Sequence, residues 1–221
     1  MTNFLFIIFP IIIIFTNYII KKKNLIPNYS GEIHQKFIGK KKIPLSGGLY
    51  FFSIIIYLFF NQFSFFLIFF FIIFFLGFIS DIRLLTSPKL RFFLQTFSIL
   101  IFVYYSELNI ELTRIDSLDT ILKNIFWSCV FTSFCLMVLI NGTNFIDGLN
   151  GLVLGYYSIL LIIIFKLGLF ETIFIDDFQI IFLIMMLFFL IILNFLDQLY
   201  LGDSGSYSVA FLVGFFLVTI Y

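Results

Sequence analysis

Long apolar segments recur along the whole chain and are separated by short polar ones. They fall at residues 4–20, 48–60, 63–79, 92–105, 121–140, 152–165, 178–196 and 207–221. A helix needs about 20 predominantly apolar residues to cross the hydrocarbon core of a bilayer. A chain that is 62% hydrophobic and 11% charged is neither an ordinary soluble protein nor a disordered one. The sequence therefore predicts an all-α, polytopic membrane protein with about eight transmembrane helices.

The basic residues are distributed unevenly between the two sides that eight spans would create. Ten of the thirteen Lys and Arg residues fall in the loops after the first, third, fifth and seventh spans: Lys21, Lys22, Lys23, Lys36, Lys40, Lys41, Lys42, Arg83, Lys89 and Arg91. The opposite loops hold Arg114, Lys123 and Lys166 with seven carboxylates. The positive-inside rule then predicts an N-terminus outside and the first set of loops in the cytoplasm. The net charge of +1 does not point to nucleic acid, and we expect no such partner.

The most polar of the cytoplasmic loops covers residues 141–151. Asn141, Asn144, Asp147 and Asn150 recur there every three residues, and on a helix each adjacent pair would share a face. Gly148 also lies in this loop, where a glycine lets a ligand approach the backbone closely. Polar groups at a membrane boundary indicate a functional site. The alternative is a polar helix end with glycine caps.

Two further polar loops on the predicted cytoplasmic side each contain an aspartate. Asp81 ends the third span beside Arg83, where a surface ion pair is the alternative to a functional role. Asp203 lies in the sequence Gly-Asp-Ser-Gly-Ser. A trypsin-like serine protease is rejected because its chemistry needs a β-barrel and a histidine base, whereas the only histidine here, His34, lies in a basic loop.

An intramembrane aspartyl protease is the alternative function that the sequence leaves open. Such enzymes use a Gly-x-Gly-Asp motif with a second aspartate, but position 200 is Tyr, so the match is partial. This interpretation requires Asp147 and Asp203 to face each other within a shared hydrogen bond.

The start of the fourth span combines a capping signal with two cations. Ser87 and Pro88 predict a helix start, with serine as the cap and proline in the first turn. Lys89 and Arg91 would then point toward the headgroup region, where they either anchor the helix or hold phosphate.

Carboxylates, amides and cations gathered at one membrane surface are suited to phosphoryl transfer. Mg²⁺ prefers oxygen ligands and takes only one or two from the protein, together with waters and substrate phosphates. The protein then mainly positions groups and neutralises charge. If a lipid phosphate is the nucleophile, no serine or cysteine nucleophile is needed.

Four segments, in the right order and spacing over nearly all of the chain, resemble the polyprenyl-phosphate N-acetylhexosamine-1-phosphate transferases. They are residues 34–48, 77–95, 141–152 and 201–206. The resemblance implies a multi-pass enzyme of the bacterial inner membrane, surrounded by membrane lipids, with cytoplasmic active-site loops. Its substrates would be a UDP-N-acetylhexosamine and undecaprenyl phosphate, with release of UMP in the first membrane step of cell-surface glycan synthesis. It also implies Mg²⁺, with Mn²⁺ as a substitute, and is compatible with a homodimer.

The resemblance also implies roles for individual residues. The metal ligands would be Asn144 and Asp203, and the catalytic residues Asp81 and Asp147. The substrate-binding residues would be Lys89, Arg91, Asn141, Asn150 and Gly148.

Three features depart from the family pattern. Ser80 stands where the family usually has a first aspartate, and Asn150 stands where many bacterial relatives have aspartate. The family also continues with further spans and a histidine-bearing loop that have no counterpart here. We therefore expect residues 1–221 to form one membrane domain that is incomplete at its C-terminus, and an inactive fragment is the further alternative.

Overall fold

The computed structural model describes residues 2–27 and 43–221. His34 and four of the basic residues counted above, Lys36, Lys40, Lys41 and Lys42, lie outside the described residues. The helices are α1 (Thr2–Lys22), α2 (Gly47–Phe59), α3 (Ser64–Asp81), α4 (Pro88–Ser106), α5 (Asp116–Leu122), α6 (Ile125–Ile146), α7 (Leu152–Lys166), α8 (Asp177–Phe195) and α9 (Gly202–Ile220). A 3₁₀-helix, Leu169–Ile173, lies between α7 and α8.

The predicted all-α, polytopic membrane architecture is confirmed. The described residues contain no β-strand, only an isolated antiparallel bridge between Pro27 and Pro44. Five helices, α1, α3, α6, α8 and α9, are long and apolar enough to cross a membrane, and α2 and α7 are shorter apolar helices. The remaining predicted span, residues 92–105, corresponds to α4, where Ser87 accepts the Leu90 N–H and Pro88 is in the first turn, as predicted.

The polar ends of two predicted spans differ from the structure. Helix α6 continues to Ile146 instead of ending at residue 140, so Asn141 and Asn144 lie within a helix. Helix α9 begins at Gly202 instead of residue 207, which places Asp203 in its first turn. The short helix α5 was not predicted.

Helix α9 lies at the centre of the bundle. It packs against α2, α3, α6 and α7, and residues 204–216 are all buried. A helix buried on every side belongs to the interior of its bundle. The C-terminal half of α9 packs through aromatic rings. The ring centroid of Phe66 in α3 lies 4.4 Å from that of Phe215 and 5.3 Å from that of Phe211.

Alternate helix ends meet at one end of the bundle. We call it the basic end because it carries Lys21, Lys22, Lys23, Arg83, Lys89 and Arg91. The N–H groups of Gly47 and Gly48, at the start of α2, donate to the carbonyls of Tyr200 and Leu201 just before α9. Asn17 of α1 donates to the carbonyl of Gln198 at 3.0 Å. The basic end therefore joins the ends of α1, α3, α6 and α8 to the starts of α2, α4, α7 and α9.

Candidate functional site

Five of the predicted site residues come together at the basic end, and one of them is Arg91. Asp81 is the last residue of α3, Asn144 lies in the last turn of α6, Asp147 follows that helix, and Asp203 lies in the first turn of α9. They are far apart in sequence, and the antiparallel packing of the helices brings them to one place. We call these five residues the carboxylate cluster.

The side chain of Asp203 is held by two residues from neighbouring helices. Its Oδ2 accepts a hydrogen bond from Ser80 Oγ at 2.6 Å. The same oxygen forms an ion pair with Arg91 Nη1 at 2.5 Å, and both side chains are largely shielded from solvent. Arg91 Nη1 also donates to Ser80 Oγ. No hydrogen bond within the described structure engages Asp203 Oδ1.

The carboxylate of Asp81 binds the start of α9. Its Oδ1 accepts the backbone N–H of Asp203 at 2.8 Å, and its Oδ2 accepts the backbone N–H of Ser204 at 3.0 Å. The Ser204 hydroxyl, which is fully buried, donates to the same Oδ2 at 2.6 Å. These contacts tie the end of α3 to the start of α9.

Glycines allow α2, α3 and α9 to approach closely around this point. A Cβ added at Gly77 would lie 2.6 Å from the carbonyl oxygen of Asp203, and one at Gly48 would lie 2.5 Å from the backbone nitrogen of Gly205. Gly202 has a φ of 74°, and a Cβ there would lie 2.8 Å from an Asp81 carboxylate oxygen. Small residues at helix interfaces let backbones pack this tightly in membranes.

Asn144 joins the carboxylate cluster through the second serine of α9. Ser206 Oγ donates to Asn144 Oδ1 at 2.9 Å and also to the carbonyl of Asp203 at 3.2 Å. Because Ser206 is fully buried, this contact fixes the last turn of α6 against the first turn of α9.

Asp147 is half-buried at the end of α6, where it interacts electrostatically with the carboxylates of Asp203 and Asp81. Burial, and then the negative charges of Asp203 and Asp81, raise the pKa of Asp147 well above its usual range. Asp203 is paired with Arg91, which is the one cation among the five residues. The carboxylate cluster therefore holds more acidic side chains than described cations.

The other predicted substrate-binding residues lie near the carboxylate cluster in sequence but make different contacts. Lys89 and Gly148 are exposed. Asn141 donates to the carbonyl of Met137 within its own helix at 2.9 Å. Asn150 lies beyond the end of α6, and its amide donates to Asp197 Oδ1 at 3.3 Å. The three-residue spacing of the asparagines therefore does not continue along one helical face.

Several polar residues of this region were not predicted. Ser204, Ser206 and Asn194 are buried, and Asn194 accepts the N–H of Gly151 at 2.6 Å while donating to the carbonyl of Leu199 at 3.1 Å. Gln95 of α4 is buried one turn after Arg91. Asn194 and Gln95 are polar side chains within apolar segments, which was a signal for them, and Ser204 and Ser206 lie in the polar sequence around Asp203.

The oxygen donors of the carboxylate cluster suit a hard cation with few protein ligands. Within residues 2–27 and 43–221, no group of three or more His, Cys, Asp or Glu side chains forms a metal site. Mg²⁺ needs fewer, because substrate phosphates and waters complete its coordination. Asp203 Oδ1 and Asn144 Oδ1 are oxygen donors of the required kind, and a bound cation would relieve the repulsion among the neighbouring carboxylates. The residues present therefore fit Mg²⁺ as a shared ion between protein and substrate.

The geometry that the protease alternative requires is not observed. Asp147 and Asp203 share no hydrogen bond, and Asp203 is instead paired with Arg91 and Ser80. An aspartyl protease needs two carboxylates that share one proton.

Comparison with known proteins identifies one family. The model of "Glycosyl transferase family 4" matches residues 63–221, which include α3 to α9 and the whole carboxylate cluster. Comparisons with curated proteins and with solved structures gave no significant match.

Proposed function

The chain belongs to glycosyl transferase family 4, and from that premise we propose that it transfers a HexNAc-1-phosphate from a UDP-sugar to undecaprenyl phosphate, releasing UMP. Membership indicates, in general, a transferase that moves a sugar-1-phosphate from a nucleotide sugar to a polyprenyl phosphate. The observation that supports the proposal most strongly is the convergence of Asp203, Arg91 and Asn144 at one end of a membrane bundle.

The proposed reaction forms and breaks one phosphorus–oxygen bond. An oxygen of the lipid phosphate attacks the phosphorus next to the sugar, and the bond from that phosphorus to the bridging oxygen breaks. The electron pair leaves with the UMP oxygen, and the product is a lipid diphosphate sugar. Because the lipid phosphate is already an anion near neutral pH, the protein's main task is to position it and balance the charge.

Each residue of the carboxylate cluster has a proposed part in this reaction. Asp203 and Asn144 would hold Mg²⁺, which when bound neutralises charge on the diphosphate of the sugar donor. Asp147, whose pKa is raised, would contact the reacting phosphates and accept a proton from the lipid phosphate when it is protonated. Arg91 would steady a phosphate, with Lys89 as an exposed second cation nearby. Asp81 would act at the same site through its contacts with α9.

The basic end would face the cytoplasm of a bacterium, where nucleotide sugars are made. Among the described residues, this end carries Lys21, Lys22, Lys23, Arg83, Lys89 and Arg91, whereas Arg114, Lys123 and Lys166 lie toward the opposite end. The positive-inside rule supports this orientation. Asn141, Asn150 and Gly148, at the edge of the same surface, would contact the sugar or the nucleotide.

The test is UMP release by the full chain in detergent micelles with UDP-N-acetylglucosamine, undecaprenyl phosphate and Mg²⁺. We expect release that requires both the lipid and the cation and that is abolished by Asp203→Asn. Asp177→Asn makes the same chemical change at the exposed first turn of α8, at the opposite end, and should retain the wild-type rate. If Asp203→Asn turned over at the rate of Asp177→Asn, the metal assignment would fail.

A further inference from the structure

Helix α9 has no N-terminal cap of its own. Leu201 occupies the cap position, and its side chain has no oxygen that could accept a hydrogen bond. The first N–H groups of a helix lack partners within the helix, and leaving them buried and unpaired costs free energy. The carboxylate of Asp81 supplies the missing acceptors from α3, with one oxygen for the Asp203 N–H and the other for the Ser204 N–H.

The place occupied by this carboxylate is formed by small residues of α9. Gly202 leaves room for the Asp81 oxygens, which a Cβ at this position would approach to 2.8 and 2.9 Å. The Ser204 hydroxyl adds a third hydrogen bond. Both oxygens of Asp81 are therefore engaged by α9, and Oδ2 accepts two hydrogen bonds.

Two adjacent residues of α3 hold the two parts of Asp203. Asp81 binds its backbone N–H, while Ser80 binds its carboxylate through Oδ2. The last turn of α3 thereby fixes the first turn of α9 in position and the Asp203 side chain in direction. These two contacts leave Oδ1 of Asp203 as the oxygen available to a ligand.

We propose that Asp81 is a positioning residue, which caps α9 and so orients Asp203 toward the cation, and that it does not touch the substrate. The proposal rests on the proposed function, because it takes Asp203 as a cation ligand. It gives Asp81 a different role from the catalytic one that the resemblance implies. It also assigns Ser204, which has no expected part in the chemistry, to the same task.

The test compares Ser204→Ala with Asp81→Asn, using Mn²⁺ as the probe and electron paramagnetic resonance of the full chain in micelles to measure affinity. Ser204→Ala removes one of the three hydrogen bonds to Asp81 and leaves both carboxylates in place. We expect it to weaken Mn²⁺ binding about three- to tenfold, the range for loss of one hydrogen bond. Asp81→Asn should weaken binding at least as much. Gly155→Ala, at a glycine with no atom within 4 Å of an added Cβ, should bind Mn²⁺ as the wild type does.

Two further measurements separate positioning from a general loss of structure. The double variant Asp81→Asn/Ser204→Ala should bind Mn²⁺ no more weakly than Asp81→Asn alone, because both changes break the same contact. Saturating Mn²⁺ should restore the turnover number of Ser204→Ala to the wild-type value. A protein that was merely less stable would instead show additive losses in the melting temperature.

The proposal is overturned if Ser204→Ala and Asp81→Asn bind Mn²⁺ with wild-type affinity while Asp81→Asn alone loses turnover, because Asp81 would then act on the substrate directly. It is also overturned if the wild-type protein binds no Mn²⁺. Failure of the proposed reaction is seen separately, as a wild-type protein that binds Mn²⁺ but releases no UMP. The affinity series still decides the role of Asp81 in that case.

Discussion

Arg91 Nη1 lies 2.5 Å from Asp203 Oδ2, so the first turn of α4 is tied to the first turn of α9 by an ion pair. The exposed fractions of the two side chains are 21% and 27%, and such shielding strengthens an ion pair relative to one at an open surface. The pair also brings a guanidinium to the place where negatively charged substrates are expected.

Removing the guanidinium should therefore harm both stability and turnover. Arg91→Gln leaves Asp203 without its charged partner, and we expect the free energy of unfolding to fall by about 1–3 kcal/mol. Turnover with UDP-N-acetylglucosamine and undecaprenyl phosphate should fall more than about tenfold, the equivalent of one lost charged contact. Arg91→Lys keeps the positive charge but loses the planar guanidinium, so its stability and turnover should lie between those of the wild type and Arg91→Gln.

The control for loss of one positive charge is Lys166→Gln, in the last turn of α7 at the opposite end. It should match the wild type in thermal melting and in UMP release. Equal effects of Lys166→Gln and Arg91→Gln would mean that the charge acts through the net field of the protein and not through Asp203.

The raised pKa of Asp147 predicts a pH dependence of stability with a definite sign. The folded protein keeps the Asp147 proton up to a higher pH than the unfolded chain does, because an aspartate in an unfolded chain has a pKa of about 3.9. The folded state therefore loses relative stability as the pH rises from that value through the raised pKa of Asp147. Asp147→Asn does not titrate, so it should melt at a higher temperature than the wild type at pH 8, and the difference should shrink at pH 4.

Thermal melting across this pH range, with and without Mg²⁺, is the measurement. Millimolar Mg²⁺ at pH 8 should reduce the difference between the wild type and Asp147→Asn, since a bound cation offsets the repulsion among the carboxylates. Parallel melting curves for the two proteins at every pH would contradict the assigned cause.

The transmembrane architecture was predictable because apolar length alone specifies a membrane helix. Helices α3 and α8 follow nearly uninterrupted apolar segments, and their predicted and observed bounds agree to within a few residues. The cap at Ser87 was predictable for a similar reason, since serine before proline is a local signal.

The ends of α6 and α9 could not be read from the sequence because tertiary contacts determine them. Helix α6 continues through Thr143 and Asn144, whose side chains contact Tyr157 of α7 and Ser206 of α9. Helix α9 begins early because a carboxylate about 120 residues away in sequence caps it. The convergence of the three polar loops was predicted from topology, but the serines that link them had no pattern to identify them.

The close packing of α3 on α9 predicts that Gly77 does not tolerate even one methyl group. A Cβ at this position would lie 2.5 Å from the Cα of Ser204 and 2.6 Å from the carbonyl oxygen of Asp203, both of which are backbone atoms that cannot move alone. We expect Gly77→Ala to lower the free energy of unfolding by about 1–3 kcal/mol, the usual cost of overpacking, and to weaken Mn²⁺ binding because Asp203 moves with the backbone. Gly142→Ala, in α6 with open space around the added Cβ, should melt no lower than the wild type, because alanine favours a helix more than glycine does, and should keep the wild-type Mn²⁺ affinity. A Gly77→Ala protein that melted with the Gly142→Ala protein would show that the two helices lie further apart than described.

The contact between Ser206 and Asn144 predicts how changes at Asn144 affect cation binding. The Asn144 amide oxygen faces the first turn of α9, where it accepts the buried Ser206 hydroxyl at 2.9 Å. If this amide is a ligand, Asn144→Ala should weaken Mn²⁺ binding about tenfold, as expected for loss of one contact to a charged group. Asn144→Asp supplies a charged oxygen at the same place and should bind Mn²⁺ at least as tightly as the wild type.

Asn141→Ala, one turn earlier on α6, removes an amide that bonds to its own helix and should leave Mn²⁺ affinity unchanged. Electron paramagnetic resonance titration of the three variants measures these differences directly, and equal affinities for Asn144→Ala and Asn141→Ala would remove Asn144 from the ligand set.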